Sequence, residues 1–282
     1  MSMVKLFFVL TQTYLYFSYK LWNKCNFGAE YSIDEFKSLS NNELYNSVVN
    51  HQVINIKNIS IDAQNLESLS YVFGKYGYVT KNFPLVNNTN HVTDIIKPHG
   101  VKPPGSTWHV DLGFLNITTT MTLLYGINTP PDGFTSFAST IILQSQSPFN
   151  ILMSTSLSSN LINLNLLNKM TIKHTSESKK YFTFKPVITL HPISHNTCLL
   201  IEGIERMEFI KYFDGYKYLN LSKEESLPVF YTLLNKTLEH VCDYQWSEND
   251  LVIFDNRCLV HRAGATENTE YRRLFRIFMY DF

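Results

Sequence analysis

Three side chains stand out for what their types and spacing could do together. His109 and Asp111 lie two positions apart in Trp108-His109-Val110-Asp111. In an extended segment both point the same way, so an imidazole and a carboxylate can face one point. His261 follows the strand-like run Leu251-Val252-Ile253-Phe254 and the turn Asp255-Asn256-Arg257. Two neutral imidazoles and one carboxylate on one face of a metal leave three coordination positions open, the arrangement that suits non-haem Fe(II) oxygen chemistry. Taken alone, His-x-Asp arises by chance in a chain of 282 residues, and a surface histidine beside a solvated aspartate is the competing reading.

Two arginines follow His261 in Tyr271-Arg272-Arg273-Leu274-Phe275-Arg276-Ile277-Phe278-Met279. If this run is a strand, Arg272, Leu274 and Arg276 share one face, and Arg273, Phe275, Ile277 and Met279 share the other. An inward guanidinium on an otherwise apolar face is costly unless it meets an anion, and arginine grips carboxylates bidentately. The alternative is that both are edge-strand charges that discourage aggregation.

The elements that must position these groups are legible from the pattern. Ser32-Ile33-Asp34-Glu35 opens a helix that continues through Glu43 to Val49, Gln52 to Ile56 alternates as a strand, and Ala63 to Phe73 has helical spacing up to Gly74. From Val92 onward the runs are short and β-like: Thr118 to Tyr125, Thr135 to Leu143, Tyr181 to Leu190, Cys198 to Ile201, Leu251 to Phe254 and Arg272 to Tyr280. Ser222 with Glu225 three residues on opens a further helix through Phe230, Leu233, Leu234 and Leu238, and a Leu/Asn-rich helix is expected near Leu161 to Met170. The whole predicts an α+β, mainly β protein: one domain over 1–282, with an extension over 1–25, an α/β front section over 26–90 and a β core with insertions over 91–282.

Composition bounds the partners. The chain is 44% hydrophobic, 14% aromatic and 17% charged, with 24 basic against 24 acidic residues, which fits a folded protein with a sizeable core. Without a concentrated basic face, nucleic acid is not an expected partner. The apolar start, Leu6 to Leu10 and Tyr14 to Tyr19, is too interrupted for a signal peptide and too short for a span, so no membrane partner and a cytoplasmic location are expected. Cys25, Cys198, Cys242 and Cys258 show no C-x-x-C spacing and are expected as reduced thiols. A homo-oligomer is compatible with the sequence.

The ordered motifs go further than any one of them. Trp-His-x-Asp at 108–111, Thr129-Pro130-Pro131-Asp132-Gly133-Phe134-Thr135-Ser136-Phe137, and Trp246 through Asp255-Asn256-Arg257 to His261 resemble the Fe(II)/2-oxoglutarate dioxygenases related to taurine dioxygenase. His51-Gln52-Val53-Ile54, Phe73-Gly74, His191-Pro192 and Glu202-Gly203 extend the resemblance to about four-fifths of the chain. It implies a double-stranded β-helix, or jelly-roll barrel, with flanking helices. It also implies Fe(II) bound by His109, Asp111 and His261, and 2-oxoglutarate held by Arg272 with Thr135 donating to it, while Arg276 lies beside cosubstrate or substrate. The implied reaction consumes O2, releases succinate and CO2, and most simply hydroxylates a small molecule. A carboxylate at position 111 leaves no vacancy for halide.

Departures bear on the substrate. Val79 and Asn82 fall where the taurine enzymes use polar or aromatic contacts, so taurine is not the expected substrate, and the stretch between Leu143 and Tyr181 looks short enough to admit a larger one. If Arg276 faces the pocket, the substrate carries an anionic group. Three other readings stay open at this point: desaturation or isonitrile formation by the same iron, a catalytically silent barrel that binds a small acid, and a zinc hydrolase on the same ligands.

Overall fold

The structure, a computed structural model, describes residues 19–22, 25–76, 83–117, 119–142, 151–152, 161–162, 167–213, 215–264 and 270–281. Its main sheet runs in the order Lys20–Leu21, Ala29–Tyr31, Val53–Ile56, Leu251–Asp255, Met121–Asn128, Arg272–Tyr280 and Lys75–Tyr76, with Thr93–Lys97 also paired to Arg272–Tyr280. A three-stranded sheet, Val241–Gln245, Phe134–Ser139 and Leu259–Ala263, faces it.

Period-2 alternation decides which side of the main sheet each residue serves. Leu251, Ile253, Met121, Leu123, Tyr125, Phe275, Ile277 and Met279 pack outward against the helical front section. Val252, Phe254, Leu124 and Leu274 point inward and meet Phe137, Cys242, Tyr244 and Leu259 of the three-stranded sheet. Both faces are therefore buried, and each fully buried Ile, Leu or Phe contributes roughly 1.5–3 kcal/mol. Two mainly antiparallel sheets packed over an inner core, joined by long-range crossovers and carrying flanking helices, make the expected double-stranded β-helix.

The front section is organised by caps. Ser32 with Glu35 and Ser40 with Glu43 each form a capping box, so the expected continuous helix is two helices, Ile33–Ser38 and Asn41–His51. Ala63–Ser70 follows, passing through a 3-10 turn into Gly74. A Cβ at Gly74 would lie 1.9 Å from the Tyr280 carbonyl oxygen, which is why this stop must be glycine. Beyond the barrel, Met170–Thr175, Phe182–Pro186, Met207–Phe213 and Tyr218–Asn220 form a further sheet covered by the Lys223–Thr237 helix, capped by Ser222 and Glu225 as expected.

Two expectations are corrected. Within the expected Leu161 to Met170 helix, Leu161–Ile162 instead pairs as a strand with Ile151–Leu152 and Met170 begins a strand; residues 163–166 lie outside the described residues. Nor are the cysteines separate thiols: Cys25 is bonded to Cys242 and Cys198 to Cys258, with Cα separations of 6.0 and 5.3 Å. Partners 217 and 60 residues apart cannot be matched from spacing; the fold brings them together. Of the expected N-terminal extension, Lys20–Leu21 pairs with Ala29–Glu30, and residues 1–18 lie outside the described residues. Among the described residues, no helix is long and apolar enough to cross a membrane.

Candidate active site

His109 and His261 meet as an isolated antiparallel bridge: each main-chain N–H donates to the other's carbonyl, at 2.9 and 3.0 Å. The bridge sets the two imidazoles side by side, ring centroids 4.3 Å apart. His109 Nδ1 lies 2.7 Å from the Thr107 carbonyl oxygen, which can only accept, so Nδ1 carries the proton and Nε2 keeps its lone pair. That Nε2 faces Asp111 Oδ1 at 3.6 Å, and His261 Nε2 faces Asp111 Oδ2 at the same distance.

One ligand atom from each of the three lies within 4.8 Å of the others, and all three residues are buried. Adjacent ligands about 2.1 Å from an octahedral ion are about 3 Å apart, and the two 3.6 Å separations between imidazole nitrogen and carboxylate oxygen lie within an ångström of that spacing. Two imidazoles with one carboxylate suit Fe(II).

The surroundings hold this arrangement in place. Thr122 Oγ1 donates to Asp111 Oδ2 at 2.8 Å, Asn256 Nδ2 donates to that hydroxyl at 2.8 Å, and Asn256 Oδ1 accepts from the Asp111 main chain at 3.3 Å. Glu202, itself bonded to His174, accepts from the Val110 N–H at 3.2 Å. Gly105 leaves room for the His109 ring: a Cβ there would sit 2.8 Å from Cε1. Burial pushes the Asp111 carboxyl up, but the imidazoles of His261 and His109, when they carry a proton, and the Arg276 guanidinium outweigh it and hold it well below the usual carboxylate range. Burial pushes His261 down to about 3, so its imidazole is neutral and free to coordinate.

Arg272 enters from the strand face read in the sequence. Its Nη2 donates to Thr135 Oγ1 at 3.3 Å, Trp246 Nε1 donates to the same oxygen at 2.9 Å, and the guanidinium lies over the Trp246 ring. With two donors on its oxygen, Thr135 has its own hydroxyl proton left to give. Arg272 is 6% exposed, its Nε has no partner among the described residues, and burial pushes its pKa down to about 10. A desolvated guanidinium with no carboxylate beside it is half of an ion pair. Four residues on along the same strand face, Arg276 sits between Phe278 and Phe83, at 4.2 and 5.1 Å from the ring centroids. Both arginines, Thr135 and the metal-ligating cluster line one cavity of about 930 Å³.

A profile of the taurine catabolism dioxygenase TauD, TfdA family matches residues 18–146 and 163–278. The chain belongs to that family. It is an Fe(II)/2-oxoglutarate-dependent dioxygenase, using O2 as the family does. An alpha-ketoglutarate-dependent sulfate ester dioxygenase from Pseudomonas putida is 23% identical over 258 residues, 82% of this chain and 77% of that protein. An alkylsulfatase from Acinetobacter baylyi is 25% identical over 208 residues, 69% of this chain and 62% of that one. Among solved structures, a putative taurine dioxygenase from Burkholderia xenovorans superposes with a TM-score of 0.72 at 18% identity, covering 94% of this dioxygenase and 93% of the other. AAD-2 in complex with Mn(II) and N-oxalylglycine gives 0.68 at 16%, covering 94% and 97%.

All six residues singled out in the dioxygenase's sequence, His109, Asp111, His261, Thr135, Arg272 and Arg276, line this cavity. Val79 and Asn82 lie outside the described residues. Sequence reasoning missed Thr122 and Gly105. Asn256 was signalled by the Asp-Asn-Arg motif, whereas nothing in the local pattern marks Thr122, whose strand alternation alone turns it toward Asp111.

Proposed function

We propose that this dioxygenase hydroxylates a small anionic molecule, holding Fe(II) with His109, Asp111 and His261, the distal carboxylate of 2-oxoglutarate with Arg272 and Thr135, and the acidic group of the substrate with Arg276. Bound ferrous ion with 2-oxoglutarate supplies oxidative decarboxylation by O2, coupled to oxidation of a C–H bond. The observation that carries the reading is the buried Arg272 guanidinium, without a carboxylate partner among the described residues and 3.3 Å from a threonine hydroxyl that still has a proton to donate.

The chain's own groups have separable tasks. Thr122 and Asn256 fix the rotation of the Asp111 carboxylate, so its two oxygens are not interchangeable. Apolar walls at Leu112, Leu124, Leu274 and Phe278 line the cavity and limit water in it, which would strengthen the Arg272 ion pair. The flanking phenyl rings restrict Arg276 to presenting its N–H edge. The sulfate-ester relatives support a small sulfate ester as the first substrate to test.

The decisive experiment adds Fe(II) and 2-oxoglutarate anaerobically, records the visible charge-transfer band, then admits O2 and measures succinate released with a panel of alkyl sulfates and other small acids. No band and no O2-dependent succinate would refute the reading. Cytoplasmic residence, expected from the sequence, requires both cysteine pairs to be reduced there, since disulfides persist in oxidising compartments. A thiol count on protein isolated under alkylating conditions decides it.

A further inference from the structure

The cavity holds more positive charge than the proposed chemistry uses. Lys97, Lys180, Arg206, Arg272 and Arg276 line it, against Asp111 and Glu177. Asp111 belongs to the metal cluster, Arg272 to the cosubstrate, and Lys97 Nζ is already bound to the Glu270 carbonyl at 2.6 Å. Arg206 has no assigned task.

Arg206 reaches the cavity from a different wall than Arg276. It ends the 3-10 turn Ile204–Arg206, ahead of the Met207–Phe213 strand, whereas Arg276 stands on the main sheet. Its side chain is 9% exposed, and its Nε donates to Thr107 Oγ1 at 3.2 Å, which locks the plane of the guanidinium. Among the described residues the carboxylate paired with its Nη2 is that of Glu177, at 4.0 Å and 76% exposed, too far for a hydrogen bond. Buried Glu202 offsets part of the charge from behind, and Arg206 is close enough to the metal cluster to act electrostatically on His261. A locked guanidinium, nine-tenths buried beside the metal ligands and with its terminal nitrogens unmatched among the described residues, is a place for an anion. Phe114, Leu112, Leu115 and Leu274 also line the cavity, so it offers apolar surface beside its cationic groups.

We infer that the substrate carries two acidic groups joined by an apolar body, one held by Arg276 and the second by Arg206. This rests on the proposed oxygenase function and narrows its substrate class from small anions to diacids. The second group is carboxylate-like, because a guanidinium fixed in one plane presents a fork that matches a planar oxyanion.

The test compares linear alkyl sulfates of about four to ten carbons with the same chains ending in a carboxylate, a span that fits a cavity of this size. Binding is measured by calorimetry on protein loaded with Mn(II) and N-oxalylglycine, which does not turn over. At one or more chain lengths the diacid is expected to bind about tenfold tighter than its monoacid partner, as one added charge-assisted ion pair requires. Arg206→Gln should erase that preference while leaving monoacid affinity within about twofold, and Arg206→Lys should keep part of it. Equal affinities at every length would overturn the inference, as would an equal loss for both members of each pair in Arg206→Gln, the mark of a structural role. Loss of N-oxalylglycine binding in that variant would overturn it too, by placing Arg206 on the cosubstrate. Failure of the wild-type protein to take up Mn(II) and N-oxalylglycine is a separate result that sinks the oxygenase reading itself.

Discussion

His109 and His261 exchange both main-chain hydrogen bonds, at 2.9 and 3.0 Å, so the two proposed metal ligands are positioned by backbone rather than by their own side chains. His109→Ala and His261→Ala should therefore keep the native fold by circular dichroism, yet each should lose ferrous ion affinity by at least about 100-fold. Stoichiometric iron in either purified variant would reject the ligand assignment.

Thr122 and Asn256 form a chain of two 2.8 Å hydrogen bonds ending on Asp111. Thr122→Val keeps the shape and removes the donor, and should weaken metal binding about 10- to 100-fold. Thr122→Ser restores the hydroxyl and should return affinity to near the wild-type value in the same metal titration. A valine variant with unaltered affinity would show that the Asp111 rotamer needs no such support.

Among the described residues Arg272 has no carboxylate partner. Arg272→Ala should raise the 2-oxoglutarate KM by about 100-fold or more, since it leaves a carboxylate unpaired in a desolvated site. Thr135→Val removes a single donor and should cost about tenfold. An unchanged KM in Arg272→Ala moves the role to Arg276 or Arg273.

Gly105 and Gly100 offer a matched pair. Both have positive φ, +73° and +76°, but a Cβ at Gly105 would press on the His109 ring while one at Gly100 meets nothing within 4 Å. Alanine at either site costs about 1–2 kcal/mol of backbone strain. Only Gly105→Ala should also impair metal binding; equal metal affinity in the two variants would show that the ring can give way.

Lys185 is buried, and burial pushes its pKa down to about 8 from an ordinary 10.5. Between these values the unfolded chain binds more protons than the folded one, so stability rises with pH through that window and is lower below it, by up to about 3 kcal/mol. Lys185→Met should flatten the rise seen by urea denaturation at pH 7.5 and 9.5. Parallel profiles for the two proteins would refute the assignment.

The strand that carries the arginines shows how much the linear pattern can hold. Alternation alone separates Arg272, Leu274 and Arg276 from Phe275, Ile277 and Met279, because side chains on a strand must alternate faces, and the structure places the second set in the outer core. The capping boxes at Ser32, Ser40 and Ser222 are local for the same reason: each closes within four residues. At the start of the Leu161 to Met170 segment the Leu and Asn spacing fits either period, and pairing with Ile151–Leu152 made Leu161–Ile162 a strand.

The sequence by itself determined the mainly β architecture, the family, and which residue types could hold a metal and a keto acid, since these are written in short-range spacing and in ordered motifs. Only the tertiary structure decided that His109 meets His261, that Thr122 turns onto Asp111, that four cysteines form two pairs, and that Arg206 shares a cavity with Arg276. Each of those relationships joins residues on different elements, and no local periodicity records a contact made by folding distant strands onto one another.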